Sequence, residues 1–301
     1  MKMDWRIVFV VLHYCAVDST REAIQSIQNC CGLNQEIVVV DNASPDQSGE
    51  RLKEEYKNCR KIHILQGKEN VGFAKGNNCG YRYAREVLRA DFIICINNDV
   101  IVRQKNFVDK IKRIYEEEVF HILGPDIVDM QGKHHNPHRL HTFEKKDLRR
   151  IIRNRGIILI YLKLKKMFRL EERVQLIEKW DSYRAVQERS DIPWEKKQEN
   201  IVLQGSCFVF SPLFVKQEEE AFYPETFMYL EEEILTFLSS KKHYQILYSP
   251  EIQVLHKEEV STNSTVKKSE KYMFFSRELR KSAKLFLKLE KNWDNLEKIK
   301  K

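Results

Sequence analysis

Between Arg6 and about Val128 the chain alternates short β-branched runs with helix-length segments, and this rhythm limits its possible folds more than any other feature. The runs are Ile7 to His13, Glu36 to Val40, Lys61 to Leu65 and Asp91 to Ile96; Ser19 to Asn29, Ser48 to Lys57 and Lys75 to Arg89 read as helices. Such alternation is the mark of a parallel sheet covered by helices, an α/β architecture. In the first helix Ser19 or Thr20 is the expected cap, with Glu22 in the first turn and Ala23, Ile24 and Ile27 on one face. Polar residues collect where the strands end, at Asp41 to Gln47, Asn70 to Asn78 and Asn97 to Asp99. Open α/β sheets bind ligands outside the carboxyl ends of their strands, so the site is expected there.

After about His134 the rhythm breaks, and His138 to Gln198 is a basic, helix-prone stretch read as an insertion. A compact motif, VLQGSCFVFSP, returns at Val202 to Pro212, followed by an acidic helix start at Phe227 to Leu238 and a strand at Gln245 to Tyr248. Tyr272 to Lys291 repeats apolar residues at helical spacing and reads as an amphipathic helix. The expected divisions are therefore 1–133, 134–199, 200–260 and 261–301.

At 301 residues, with 42% hydrophobic and 32% charged side chains, the composition is that of a globular protein rather than a disordered one. The net charge of +8 is unevenly placed: Lys145 to Arg169 holds ten Lys or Arg against the single acid Asp147. Two readings of that block stand, an anionic membrane surface and a solvated basic helix. Nucleic acid is disfavoured, since few aromatics are placed for stacking and no common nucleic-acid module is matched. The longest later apolar stretch, Gly156 to Leu162, falls far short of a membrane span, and the N-terminal run is too short for a signal peptide core. Seven cysteines without a CxxC pair or a disulfide framework point to reduced thiols and a cytosolic protein.

Five constellations could carry chemistry. Asn97, Asn98 and Asp99 follow an apolar strand and offer the oxygen-rich environment that Mg²⁺ or Mn²⁺ prefers, although an Asx turn or helix cap would use the same residues. Asp41, in the sequence DNASPD, sits where a carboxylate can accept hydrogen bonds from a base ring or ribose. In ENVGFAKGNNCG, Gly72, Gly76 and Gly80 permit close backbone approach and Lys75 offers a cation. Glu231, Glu232 and Glu233 lie in FMYLEEEIL about 100° apart on a helix, so one or two at most can face a cleft; one could act as general base, while complementing the helix dipole would explain one or two of them but not their placement after an aromatic strand. His256 follows SPEIQVL, and a lone His is more often structural than a ligand. The turn after the first strand, HYCAVDS, has no glycine, which argues against a dinucleotide-binding dehydrogenase and against a nucleotidyltransferase phosphate loop.

In this order and spacing, IVVVDNAS, ENVGFAKGNN, the strand ending NND and FMYLEEEIL with a downstream His resemble the inverting family 2 glycosyltransferases. The likeness is to members that build bacterial capsular, exopolysaccharide or O-antigen chains, rhamnosyltransferases among them. The resemblance covers roughly Arg6 to Val128 and Asn200 to His256. It implies a GT-A fold with a Rossmann-like, mostly parallel central sheet flanked by helices, here carrying a helical insertion and a C-terminal amphipathic helix. Residues 1–133 then form the nucleotide-sugar half, 200–260 the acceptor and catalytic half, and 261–301 a helical extension.

By that resemblance His13 and Tyr14 line the nucleotide pocket, Asp41 contacts the base or ribose, and Asn70, Gly72 and Lys75 lie near both. Asp99 takes the last position of a DxD-type motif and binds the metal, with Asn97 replacing the first Asp and Asn98 between them on the donor side. His256 completes the metal shell, Gly205 and Ser206 form the loop beneath the transferred sugar, and Glu232 is the base with Glu231 second.

The implied reaction is metal-dependent, inverting transfer of a hexose or deoxyhexose from a UDP- or dTDP-sugar to a saccharide acceptor, with Mg²⁺ or Mn²⁺ as cofactor. The acceptor is expected to be lipid-linked and the enzyme cytoplasmic, docked on the inner face of the membrane; a homodimer is the assembly considered. The competing expectation is a non-catalytic nucleotide-sugar-binding module or membrane-associated scaffold on the same fold.

Overall fold

The structure is a computed structural model that describes residues 5–32, 35–167, 192–257 and 268–299. Part of the expected insertion, 168–191, and the start of the C-terminal extension lie outside the described residues.

The central sheet begins with β1 (Ile7–His13), β2 (Glu36–Asp41), β3 (Ile62–Gln66) and β4 (Phe92–Asn97), interleaved with α1 (Val17–Cys31), α2 (Ser48–Tyr56) and α3 (Gly72–Arg82), the last running on as a π-helical turn, Tyr83–Val87. There follow β5 (Val100–Val102), α4 (Phe107–Glu117), β6 (Ile122–Asp129), α5 (Lys145–Met167), β7 (Gln198–Glu199), β8 (Cys207–Phe210), α6 (Pro212–Gln217), α7 (Glu231–Lys241), β9 (Ile246–His256) and α8 (Lys268–Ile299). The strand order is β3-β2-β1-β4-β8-β6-β9-β5, with β7 paired to β9. The first four strands are all parallel; β8 then runs antiparallel to β4 and β6, and β5 and β7 antiparallel to β9.

Successive side chains on a strand point to opposite faces, and here both faces are buried. Ile7, Phe9 and Val11 of β1 join Ile37, Val39, Phe92 and Ile94 in one core with α1 and α4. Val8 and Val10 join Val38, Val40, Ile93 and Cys95 in the other core with α3. This double covering explains why the runs in the sequence are continuously apolar rather than alternating. A third cluster, Leu148, Leu230, Ile234, Phe237, Ala283 and Phe286, packs α5 and α8 around α7. The basic insertion therefore has one face built into the molecule. All seven cysteines are free.

Several element limits differ from expectation, each for a physical reason. Neither Ser19 nor Thr20 caps α1, which starts after Ala16; the Thr20 hydroxyl instead meets His13 and donates to the Ala16 carbonyl. The acidic helix starts at Glu231 rather than Phe227, because the Phe227 and Met228 carbonyls accept from Phe73 N–H of α3 and the Ser282 hydroxyl of α8 instead of from a helical turn of their own. Tyr229 (φ 75°) and Leu230 (φ 69°) then turn through the left-handed region into α7, a strained entry for two bulky residues. The strand begun at Ile246 continues to His256, carrying that residue to the sheet's functional edge.

Candidate functional site

The parallel strands end in line. His13 is level with Asp41 across β1 and β2, and Leu12 is level with Asn97 across β1 and β4, so three polar strand ends share one edge. Asp41 is buried; its Oδ1 accepts from the Ser44 N–H (3.1 Å) and hydroxyl (2.5 Å). Its Oδ2 lies against Gly49 in the first turn of α2, where an added Cβ would sit 2.0 Å away, so only glycine fits beside this carboxylate. A carboxylate at a helix N-terminus is stabilised by the dipole and the free N–H groups there.

His13 is fully buried and both ring nitrogens are engaged, Nδ1 with Thr20 Oγ1 (2.7 Å) and Nε2 with Ser48 Oγ (2.8 Å). Burial holds its pKa below the ordinary value. It thus braces the strand ends from beneath. Asn98, in the turn between β4 and β5, is likewise turned inward, donating to Thr20 Oγ1 (3.2 Å). Tyr14 is half-buried beside these groups.

The loop after β3 is stitched to the turn after β2. Asn42 donates to Asn70 Oδ1 (3.0 Å) and the Gly72 carbonyl (3.1 Å) and accepts from Val71 N–H (3.0 Å); Asn70 Oδ1 also accepts from Gly72 N–H (3.0 Å). Gly72 has φ +83°, and a Cβ there would lie 2.1 Å from the Phe227 carbonyl oxygen. Only glycine allows this crossing, which joins the strand-end loops to the segment entering α7. Lys75, three residues on, is exposed.

On the other side, Asn97 N–H donates to the Ser206 carbonyl (2.9 Å). Ser206 is buried, with its N–H and hydroxyl both on Gln204 Oε1, and a Cβ on Gly205 would lie 3.6 Å from Glu232 Oε2. Beyond Asn97 the chain turns into β5, and Asp99 Oδ1 lies 3.2 Å from His256 Nε2, both largely buried, with His256 Nδ1 buried and without a hydrogen-bond partner. Asp99 lies in the turn after β4 and His256 at the end of β9, an arrangement that would suit a hard divalent ion completing its shell with phosphate oxygens and water. Among the described residues no cluster of three His, Cys, Asp or Glu side chains could hold a metal by itself.

The acidic triplet is sorted by helix geometry. Glu231 and Glu233 are buried, while Glu232 between them is half-exposed. Burial, with the Glu232 charge adding to it, pushes the Glu231 carboxyl up to about 8. Burial also pushes Glu233 up to about 8 against the opposing Arg139, whose Nε is 3.5 Å away; Glu233 Oε2 accepts from Phe143 N–H (3.0 Å). Near neutral pH both buried acids hold their protons.

The sequence matches the profile of glycosyl transferase family 2 over residues 8–174, more than half of the chain. This chain belongs to glycosyl transferase family 2. It is 32% identical over 110 residues to the dTDP-rhamnosyl transferase RfbF of Shigella flexneri, covering 36% of this chain and 33% of that protein. It is 26% identical over 113 residues to the low-salt glycan biosynthesis hexosyltransferase Agl10 of Haloferax volcanii, covering 38% and 35%. The matched region spans about a third of the length of these curated relatives. The fold is similar to that of Staphylococcus aureus TarS 1–349 in complex with UDP-GlcNAc, with TM-score 0.53, 14% identity, and 92% of this chain and 66% of that one covered. The complex of TarS 1–349 with UDP gives TM-score 0.52 over 84% and 60%. These are GT-A glycosyltransferases, and the likeness is one of fold.

Within this family 2 chain the structure brings Asp99 beside His256 and Gly205 beside Glu232, links the two groups through Asn97 and Ser206, and leaves His13 and Asn98 in the interior. Asn42 and Gly49 are site-building residues that sequence reasoning did not single out. Asn42 stood in plain view after Asp41, but an amide that bonds a loop 28 residues away leaves no local periodic signal.

Proposed function

We propose that this protein is a metal-dependent, inverting glycosyltransferase that moves a hexose or deoxyhexose from a UDP- or dTDP-sugar to a saccharide acceptor. The observation that carries this reading is the Gly205–Ser206 loop: its Ser206 carbonyl holds the strand leading to Asp99, and its Gly205 faces the Glu232 carboxylate. A sugar lying over that loop would have a diphosphate-side group on one flank and the half-exposed Glu232 side chain on the other. The named activities of the relatives and the UDP-sugar bound by TarS support a nucleotide-sugar donor.

Asp99 and His256 would hold the cation, and a bound Mg²⁺ or Mn²⁺ supplies positive charge to the diphosphate. Asp41, Asn70, Gly72 and Lys75 hold the base and ribose, with Tyr14 and Asn97 beside them. Glu232 takes the proton from the acceptor hydroxyl. The acceptor oxygen then bonds to the anomeric carbon as the bond to the diphosphate oxygen breaks, that oxygen keeps the electron pair, and the configuration inverts. Glu231 and Glu233 are buried, so Glu232 is the acid of the triplet open to an acceptor.

The acceptor is a lipid-linked saccharide of a bacterial surface polysaccharide, reached from the cytoplasmic face; no described helix is long and apolar enough to cross a membrane. A panel of UDP-, dTDP- and GDP-sugars with Mg²⁺, Mn²⁺ or EDTA tests this function. Turnover of one UDP- or dTDP-sugar that EDTA abolishes is the expected result. Tight donor binding without turnover in any metal would instead identify a non-catalytic module, and turnover indifferent to EDTA would remove Asp99 and His256 from their role.

A further inference from the structure

Helix α5 carries one continuous stripe along the side turned away from the protein. Lys146, Arg149, Arg153, Ile157, Ile160, Leu164 and Met167 recur at steps of three and four, which places them on a single face with Arg150 and Tyr161 beside them. The opposite face, with Leu148 and Leu162 buried and Ile151, Ile152 and Ile158 half-buried, packs on α7 and α8. The stripe is divided lengthwise. Its first half is cationic, and its second half is apolar and spans about 15 Å at 1.5 Å per residue.

The apolar half is open. Ile157 is 60% exposed, Ile160 61%, Leu164 47% and Met167 64%, and with Tyr161 they make five of the eleven exposed large hydrophobics among the described residues. Lys163, Lys165 and Lys166 flank it, Lys165 lying 5.1 Å from the Tyr161 ring centre. In the cationic half Lys146 pairs with Glu144 and Arg150 with Asp147, while Arg149 and Arg153 are exposed. The helix as a whole has nine Lys or Arg against one acid, a net +8 equal to that of the entire chain, so the remaining residues sum to neutral.

We infer that this stripe of α5 is a docking surface for an anionic phospholipid bilayer. The apolar side chains enter the headgroup boundary, the arginines meet lipid phosphates, and the flanking lysines reach out along their stems. Charge complementarity selects this occupant. The stripe holds no acid, so a second copy of the same face would set cations against cations or against hydrocarbon, and a nucleic acid would leave the apolar half uncovered. C-terminal helix α8 is the buttress rather than a second contact, since Phe274 is its one large hydrophobic among those exposed in the described residues, and its Ser282 holds the Met228 carbonyl ahead of the acidic helix. The inference deepens the reading of a lipid-linked acceptor and rests on it for its purpose.

Co-sedimentation of the full chain with phosphatidylcholine vesicles, with and without phosphatidylglycerol, tests the docking. Binding is expected only when phosphatidylglycerol is present and is expected to weaken with added salt. The triple variant Ile157→Ser, Ile160→Ser, Leu164→Ser and the double variant Arg149→Glu, Arg153→Glu should each lower partitioning by at least about a hundredfold. All five positions are exposed and outside the sugar-transfer site, so donor turnover in solution should be unchanged. Wild-type protein that ignores anionic vesicles, variants that bind as wild type does, or a wild-type dimer that the same substitutions dissolve would overturn the proposal. Failure of donor turnover with vesicle binding intact would instead break the proposed enzymatic function and leave the docking surface standing.

Discussion

The two sides of this molecule are built by different means. In the strand-rich half, β3, β2, β1 and β4 hold their polar ends in line by backbone register, and Asp41, His13 and Asn42 are held by groups from the same run of strands and helices: Asp41 by Ser44, His13 by Thr20 and Ser48, Asn42 by Asn70. In the helical half, α7 is set by groups far away in sequence: Phe143 N–H on Glu233, Ser282 on the Met228 carbonyl, Gly72 under Phe227. The first group of contacts closes within the first seventy residues, and the second forms only when the whole chain has closed. The difference locates the vulnerable joints, which lie where the halves touch.

The sharpest steric effect is expected at Gly72, the crossing itself. Gly72→Ala places a Cβ 2.1 Å from the Phe227 oxygen at a left-handed φ, and should cost on the order of 4 kcal/mol in denaturant unfolding. Full stability in that variant would break the claim that this crossing holds the halves together.

Next is the pH response of the helical half. The folded state holds the Glu231 and Glu233 protons up to about pH 8, whereas an unfolded glutamate releases its proton near 4.5. Between these values the native state binds more protons, so stability should fall as pH rises through the window, by up to about 1.4 kcal/mol per pH unit for each group. Glu231→Gln should flatten the slope and leave a protein more stable than wild type at pH 9. A slope unaltered by this substitution would contradict the burial argument.

A smaller effect is expected within the strand-rich half. Asn42→Ala removes the partners of Val71 N–H and the Gly72 carbonyl and should cost about 1–3 kcal/mol, while raising the KM for the sugar nucleotide more than it lowers kcat. A kcat defect with unchanged KM would place Asn42 outside donor positioning.

The same division governs what the sequence discloses. The parallel strands, the helices between them and the site edge can be read directly, because residues covered on both faces leave continuous apolar runs and strand ends leave clusters of Asn and Asp. Within such a cluster the roles diverge invisibly: Asn98 and Asp99 are adjacent, yet one turns in to Thr20 and the other meets His256 on a strand over 150 residues away. His13 likewise has the residue type of a ligand and the surroundings of a core group. The triplet at 231–233 fixes that a carboxylate is present, while which one remains outside depends on the entry through Tyr229 and Leu230, whose positive φ angles no propensity foretells. The third core, around α7, joins segments more than a hundred residues apart and has no periodic trace of its own.

In the proposed function the loop at Gly205 and Ser206 presents a sugar between Asp99 and the half-exposed Glu232. The most direct test of this arrangement compares transfer rates of the Glu232→Gln, Glu231→Gln and Glu233→Gln variants on the same donor and acceptor, with the fold checked by circular dichroism. The expected result is a fall of about 10²- to 10⁴-fold in kcat for Glu232→Gln alone, the range typical for removing a general base. Near-wild-type kcat in Glu232→Gln, with the loss falling on either buried neighbour, would contradict the assignment.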